Sequence, residues 1–153
     1  MGSDSRMKEK GKYDALKLEN QLCFPLYACS KEIVRQYKPI LDKFDLTYTQ
    51  YITMMVMWDK KELNVKELGE YISLDSGTLT PVLKKLESKG YIQRNRSKDD
   101  ERNLIVILTK LGEDLRDEAL DIPVKMGQCV NLNEDEANTL YRLLYKVLDN
   151  LKR

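Results

Sequence analysis

The stretch from Leu74 to Thr109 constrains the fold most, because it reads as a helix, a tight basic turn and two short strands in that order. Leu79, Val82, Leu83 and Leu86 recur at i, i+3, i+4 and i+7, one apolar stripe that turns Lys84, Lys85 and Lys89 outward. Gly90 stops the helix. Two starts are open. Asp75 or Ser76 can cap it, which leaves Pro81 inside the first two turns with one backbone donor lost; Thr80 can instead cap it, with Pro81 in the first helical position. Beyond Gly90, Tyr91–Arg96 and Asn103–Leu108 read as strands joined by a long charged tip from Ser97 to Arg102. Helix, turn and hairpin in this order make a winged helix.

Charge indicates what such a unit would meet. Between Asp75 and Lys110, eight basic residues stand against five acidic ones, a net +3 in a chain of +1, so the remainder carries −2. A polyanion is the natural partner of this segment, although mixed charge on a solvated face is common.

The rest of the composition narrows the function by exclusion. A chain of 153 residues fits one domain with a core. No apolar run reaches the roughly 20 residues that span a bilayer and no signal-like segment opens the chain, so a cytoplasmic protein without membrane contact is expected. Cys23, Cys29 and Cys129 form no C-x-x-C pair, and there is no histidine at all. That removes His-dependent catalysis and the usual zinc sites, and the seven scattered glycines form no phosphate loop. We expect no metal, no cofactor and no metabolic enzyme.

Taken in order, residues 1–12 are polar and resemble an expression-vector remnant with a native start near Met7; a disordered leader is expected there. Tyr13–Tyr37 keeps helical spacing through Leu18, Leu22, Leu26, Cys29 and Ile33, with Pro25 kinking the helix or starting a new one beside Cys23. Lys38-Pro39 is expected to end it, and Ile40–Phe44 to form a short helix. Thr47 with Gln50 makes a capping box for Tyr48–Lys60, whose Ile52, Met55, Val56 and Met57 should be buried. Leu63 or Asn64 begins Val65–Ile72, the first half of a helix-turn-helix. Thr109 starts a helix to about Met126, bent near Pro123, and Asn133 with Glu136 caps a last helix with a wide stripe from Leu140 to Leu151. The reading is one mainly α domain over 13–153: a winged helix-turn-helix at about 47–109, flanked by helices at about 13–44 and 110–153. Those flanking faces exceed what one small winged helix covers, so a homodimer on a pseudo-palindromic duplex is expected.

The run Leu74-Asp75-Ser76-Gly77-Thr78-Leu79-Thr80-Pro81, then Leu83-Lys84-Lys85-Leu86-Glu87, then Asp99-Asp100-Glu101-Arg102, resembles the recognition helix and wing of the MarR family of bacterial repressors. The resemblance runs from about Leu18 to the C-terminus and implies a double-stranded DNA operator. Its DNA-facing set is Ser76, Thr78, Thr80, Lys84, Arg94, Arg96, Asp100 and Arg102. The three hydroxyls can bond base edges and phosphates, or serve only as helix caps. Arg102 suits a narrow minor groove, with Asp100 holding its guanidinium.

Alone, Cys23 among Leu22, Phe24 and Leu26 reads as a core residue. Yet Leu18-Glu19-Asn20-Gln21-Leu22-Cys23-Phe24 followed by Leu26-Tyr27 resembles the organic hydroperoxide sensors, the OhrR branch of that family. The resemblance implies that Cys23 is the peroxide-reactive thiol, that Tyr37 and Tyr48 hydrogen-bond it across the dimer, and that Cys129 is the resolving cysteine. Pro25 departs from that pattern, and Cys29 reads as packing. The function this implies is a repressor that leaves its operator when Cys23 is oxidised. The alternatives are a repressor released by a small phenolic or aromatic ligand, and a thiol peroxidase, which the absent peroxiredoxin-type loop before Cys23 disfavours.

Overall fold

The computed structural model describes residues 11–100 and 102–152, so the leader expected over 1–12 lies outside them except for Gly11 and Lys12. The chain divides into two units, one ending at Arg35 and one beginning at Gln36.

In the first unit the expected helix from Tyr13 is replaced by two single 3-10 turns, Asp14–Leu16 and Leu18–Asn20. Polar side chains take the backbone groups here: Asn20 donates to the Asp14 carbonyl at 2.7 Å, and the Asp14 carboxylate accepts from Gly11 N–H at 2.9 Å. Helix α1 (Cys23–Leu41) then begins afresh. Pro25 falls in its first turn, where an N–H has no intrahelical acceptor to lose. None of residues 11–35 is buried.

Lys38-Pro39 does not end α1 as expected, since the helix carries Pro39 inside it and continues to Leu41. Leu41 is fully buried with Ile40 packed beside the core, and that burial offsets the lost hydrogen bond. Only Asp42–Phe44 of the next expected helix forms, as one 3-10 turn.

Capping decides the following elements. Thr47 and Gln50 exchange backbone and side-chain bonds at the start of α2 (Tyr48–Lys60), and Asn64 and Glu67 do the same for α3 (Val65–Ile72). The buried face of α2 is rotated from the expected one: Tyr51, Met54, Met57 and Trp58 enter the core, Ile52 and Val56 are half-buried, and Met55 is exposed. Between α3 and α4 the chain turns with Ser73 left-handed and Leu74 N–H on the Gly69 carbonyl. A Cβ on Gly69 would lie 2.5 Å from the Leu74 carbonyl oxygen, so this turn requires glycine.

The open start of the next helix is settled by Asp75, which caps α4 (Ser76–Ser88) and leaves Pro81 inside. Leu79, Leu83 and Leu86 are buried at 0–1% exposure, enough to offset the donor that Pro81 lacks. The helix ends in paired bonds from Gly90 N–H to Glu87 and Tyr91 N–H to Leu86, with Gly90 at φ +80°. The hairpin β2 (Ile92–Arg96) and β3 (Leu104–Leu108) follows. A strand the sequence did not announce, β1 (Glu62–Asn64), pairs antiparallel with β3 and gives the sheet order β1-β3-β2.

The single bent helix expected after the wing is two: α5 (Lys110–Glu118), capped by Thr109, and α6 (Asp121–Val130). The break falls at Ala119–Leu120, and Pro123 sits harmlessly in the first turn of α6. Helix α7 (Glu134–Leu151) starts with the expected Asn133–Glu136 capping box and buries none of its residues.

Candidate functional site

On the winged helix, local bonds have already claimed several of the expected contact groups. The Thr78 hydroxyl donates to Asp75 at 2.8 Å and the Thr80 hydroxyl to the Ser76 carbonyl at 2.7 Å, so both serve the start of α4. Each keeps lone pairs for an incoming donor. The Thr78 N–H beside it holds the Asp75 carboxyl below the usual aspartate range. Ser76 and Lys84 are exposed on α4. Lys89 is not turned outward as expected, because its ammonium is held by Asp45 and Gln50.

Arg94 is likewise tied inward. Its guanidinium donates twice to Glu87 Oε2, at 2.6 and 3.0 Å, and its backbone N–H donates to Oε1. The pair clamps β2 to α4 and keeps the Glu87 carboxyl below the usual glutamate range, chiefly through the Arg94 side chain. Arg96 is exposed further along β2.

At the wing tip, Ser97 N–H donates to the Asn103 carbonyl at 2.7 Å and Asn103 N–H to the Asp100 carbonyl at 2.9 Å. Asp100 was expected to hold the Arg102 guanidinium. Instead its carboxylate accepts from the Arg102 backbone N–H at 3.0 Å, as a short side chain reaches the amide two residues on. The main chain of Arg102 is thereby fixed and its side chain is exposed.

A second cluster lies where the end of α1 meets α2. Tyr37 and Tyr48 are in ring contact at 4.9 Å, as their joint assignment to one site requires. The sequence reading missed Tyr51, one turn after Tyr48, whose ring is 5.7 Å from Tyr37 and 6.3 Å from Trp58. Burial, then the neighbouring phenols, pushes Tyr51 up to about 12; burial and Tyr48 raise Tyr37 as well. Both phenols therefore keep their protons near neutral pH and can donate. Beside them a surface hollow of about 220 Å³ is lined by Tyr51, Met55, Trp58, Arg116, Leu120 and Pro123.

All three cysteines are exposed and reduced. Cys23 is the first residue of α1. Cys29, expected to pack, does not. Cys129 lies in the last turn of α6, within a helix rather than beyond one. Among the described residues no cluster of metal-binding side chains forms, and no helix is long and apolar enough to cross a membrane.

Residues 35–119, more than half of the chain, match the model of the family described as transcriptional regulator SarA/Rot. The organic hydroperoxide resistance transcriptional regulator of Bacillus subtilis (strain 168) is 46% identical over 145 residues, covering 93% of this chain and 97% of the relative. Among solved structures, reduced AbfR bound to DNA superposes with a TM-score of 0.76 at 32% identity, over 93% of this chain and 99% of that one. The disulfide-formed AbfR superposes with a TM-score of 0.62 at 31% identity, over 92% and 95%.

Proposed function

This chain belongs to the SarA/Rot family of transcriptional regulators, the MarR-like group that its sequence resembles, and from that premise we propose a homodimeric repressor that senses organic hydroperoxides through Cys23. It is a regulator and not an enzyme. The observation that carries the sensing role is the place of the exposed Cys23 at the first residue of α1, inside the run from Leu18 to Tyr27 that resembles the hydroperoxide sensors; Cys29 and Cys129 are exposed as well, so exposure alone does not select it. The likeness to a hydroperoxide resistance regulator supports the same reading.

In this reading the Cys23 sulfur attacks the peroxide oxygen, the O–O bond breaks, an alcohol leaves, and Cys23 becomes a sulfenic acid. Tyr37 and Tyr48, contributed by the other subunit, donate hydrogen bonds to the sulfur and to the sulfenic oxygen. The thiol of Cys129 then attacks the sulfenic sulfur, expelling water and forming a disulfide. The two-electron oxidant is the hydroperoxide in every case.

The reader is the segment at about 47–109 within a single domain from 13 on, working in the cytoplasm on a pseudo-palindromic duplex with half-sites about one helical turn apart. Ser76, Thr78, Thr80 and Lys84 face the major groove and Arg96 the backbone; Arg102 enters the minor groove from the wing that Asp100 shapes. Arg94 contributes by fixing β2 against α4 through Glu87. A second reading, release by a small phenolic or aromatic ligand, draws on the apolar hollow beside Tyr51.

Operator binding before and after one equivalent of tert-butyl hydroperoxide separates the two. Wild-type protein should leave the duplex, Cys23→Ser should stay bound, and Cys29→Ser should still respond. Tyr37→Phe and Tyr48→Phe should each slow thiol oxidation, since each removes a donor. Release of Cys23→Ser by peroxide at the wild-type dose would contradict the sensing role and favour the ligand reading.

A further inference from the structure

Trp58 is the chain's single tryptophan, and its indole is the point where the tyrosine cluster meets the wing. On one side its ring lies against Tyr51, which lies against Tyr37. On the other, its buried Nε1–H donates at 2.8 Å to the carbonyl of Gly112 in the first turn of α5. That turn is fastened to the junction between α4 and β2. Thr109 gives its hydroxyl to the Gly90 carbonyl, at the end of α4, and its N–H to the Tyr91 carbonyl, at the start of β2. Gly112 N–H closes back on the Thr109 hydroxyl at 3.1 Å, and Leu108 N–H reaches the Lys61 carbonyl at the end of α2. The packing leaves no slack, because a Cβ on Gly112 would sit 2.2 Å from the Tyr91 oxygen and 2.8 Å from Leu108 Cδ1.

We infer that the bond from the Trp58 indole to Gly112 is the positioning contact that passes a rearrangement of the tyrosine cluster to the wing and to the end of α4. This rests on the hydroperoxide reading above. The bond is buried, so neither partner is cheaply left unpaired, and close packing around Gly112 leaves the joint no room to yield gradually. Movement of Tyr37 or Tyr51 shifts the indole; losing the bond frees α5 from α2 and, through Thr109, displaces Gly90 and Tyr91. An element with two arrangements that the sensing end and the reading end both bias is what coupling between them requires.

A single tryptophan makes the indole N–H a unique resonance in a ¹⁵N-labelled protein. In the reduced state it should exchange slowly with solvent. One equivalent of tert-butyl hydroperoxide should shift it and speed its exchange at least about tenfold in wild type, with no change in Cys23→Ser. Trp58→Phe keeps a ring and loses the donor. It should bind operator about tenfold more weakly than wild type already when reduced, form sulfenic acid at the wild-type rate, and lose about tenfold less affinity on oxidation. Gly112→Ala should weaken operator binding of the reduced protein without slowing thiol oxidation. Operator release with an unmoved, still protected indole N–H would overturn this inference alone, and so would normal release by Trp58→Phe. If wild-type protein keeps its operator after oxidation, the hydroperoxide reading falls and this inference with it.

Discussion

Helices α4 and α7 carry apolar stripes of the same period, yet Leu83 in α4 is 1% exposed whereas Leu144 in α7 is 40% exposed and Leu151 77% exposed. The stripe of α4 finds α2, α3 and the hairpin within its own chain. The stripe of α7 has no buried residue, and Leu16, Leu18, Leu22 and Tyr27 near the other end of the sequence are likewise exposed. A contiguous apolar face left open to water marks a surface that another molecule covers. In the homodimer proposed above, a second copy does so, and the two kinds of stripe then fail differently when broken.

The largest effect should come from Leu144→Glu. It changes a residue that is exposed in the chain, yet it should convert the dimer to monomer in sedimentation and abolish operator binding, because one reader alone meets one half-site. A dimer that survives this change would mean α7 is not its interface. Leu83→Ala should instead cost about 2 to 5 kcal/mol by emptying core volume, with the loss present at every protein concentration. The reader can be divided in the same way. Arg102→Ala should cost about 1 to 3 kcal/mol of operator affinity with thermal stability unchanged, while Arg94→Ala should lower stability by stranding Glu87. Equal DNA effects with no change in melting for either would erase that distinction.

Smaller still, Asp75→Ala should lower the melting temperature modestly by uncapping α4. The smallest effect is on pH dependence. The folded Glu87 carboxyl sits below its ordinary range, so its contribution is fully present above that range and is lost as pH falls through the depressed value. Glu87→Gln should lower the melting temperature slightly at neutral pH and above, the carboxylate being 36% exposed, with the gap to wild type closing as pH falls.

The capping boxes at Thr47 and Asn133 were legible because each is a bond between residues three apart, written locally in the sequence, whereas the same signal in Asn64 and Glu67 was not read and the start at Leu63 or Asn64 stayed open. The same locality misled at Pro39 and left two starts open around Pro81, and burial of Leu41 and of Leu79 and Leu83 decides both places in favour of helix. Strand β1 was invisible because Leu63 pairs with Val106, far along the chain, and three residues show no period. Charge counting found the basic reader but not that Lys89 and Arg94 spend their charge on Asp45 and Glu87. Among the candidate site residues, Tyr37 and Tyr48 were named by resemblance, and their rings lie 4.9 Å apart; Tyr51, one turn after Tyr48 in α2, was not singled out.

A mixture of two variants tests most directly whether the open ends meet between chains. Cys23→Ser and Cys129→Ser subunits, unfolded together and refolded, give heterodimers in which only one Cys23 and one Cys129 remain, on different subunits. After one equivalent of tert-butyl hydroperoxide, non-reducing electrophoresis should show a band at twice the chain mass, joined through Cys23 and Cys129, in the mixture and in neither variant alone. A mixture that runs only as monomer, while wild-type protein forms the Cys23–Cys129 bond within one chain, would contradict a sensor built across the dimer.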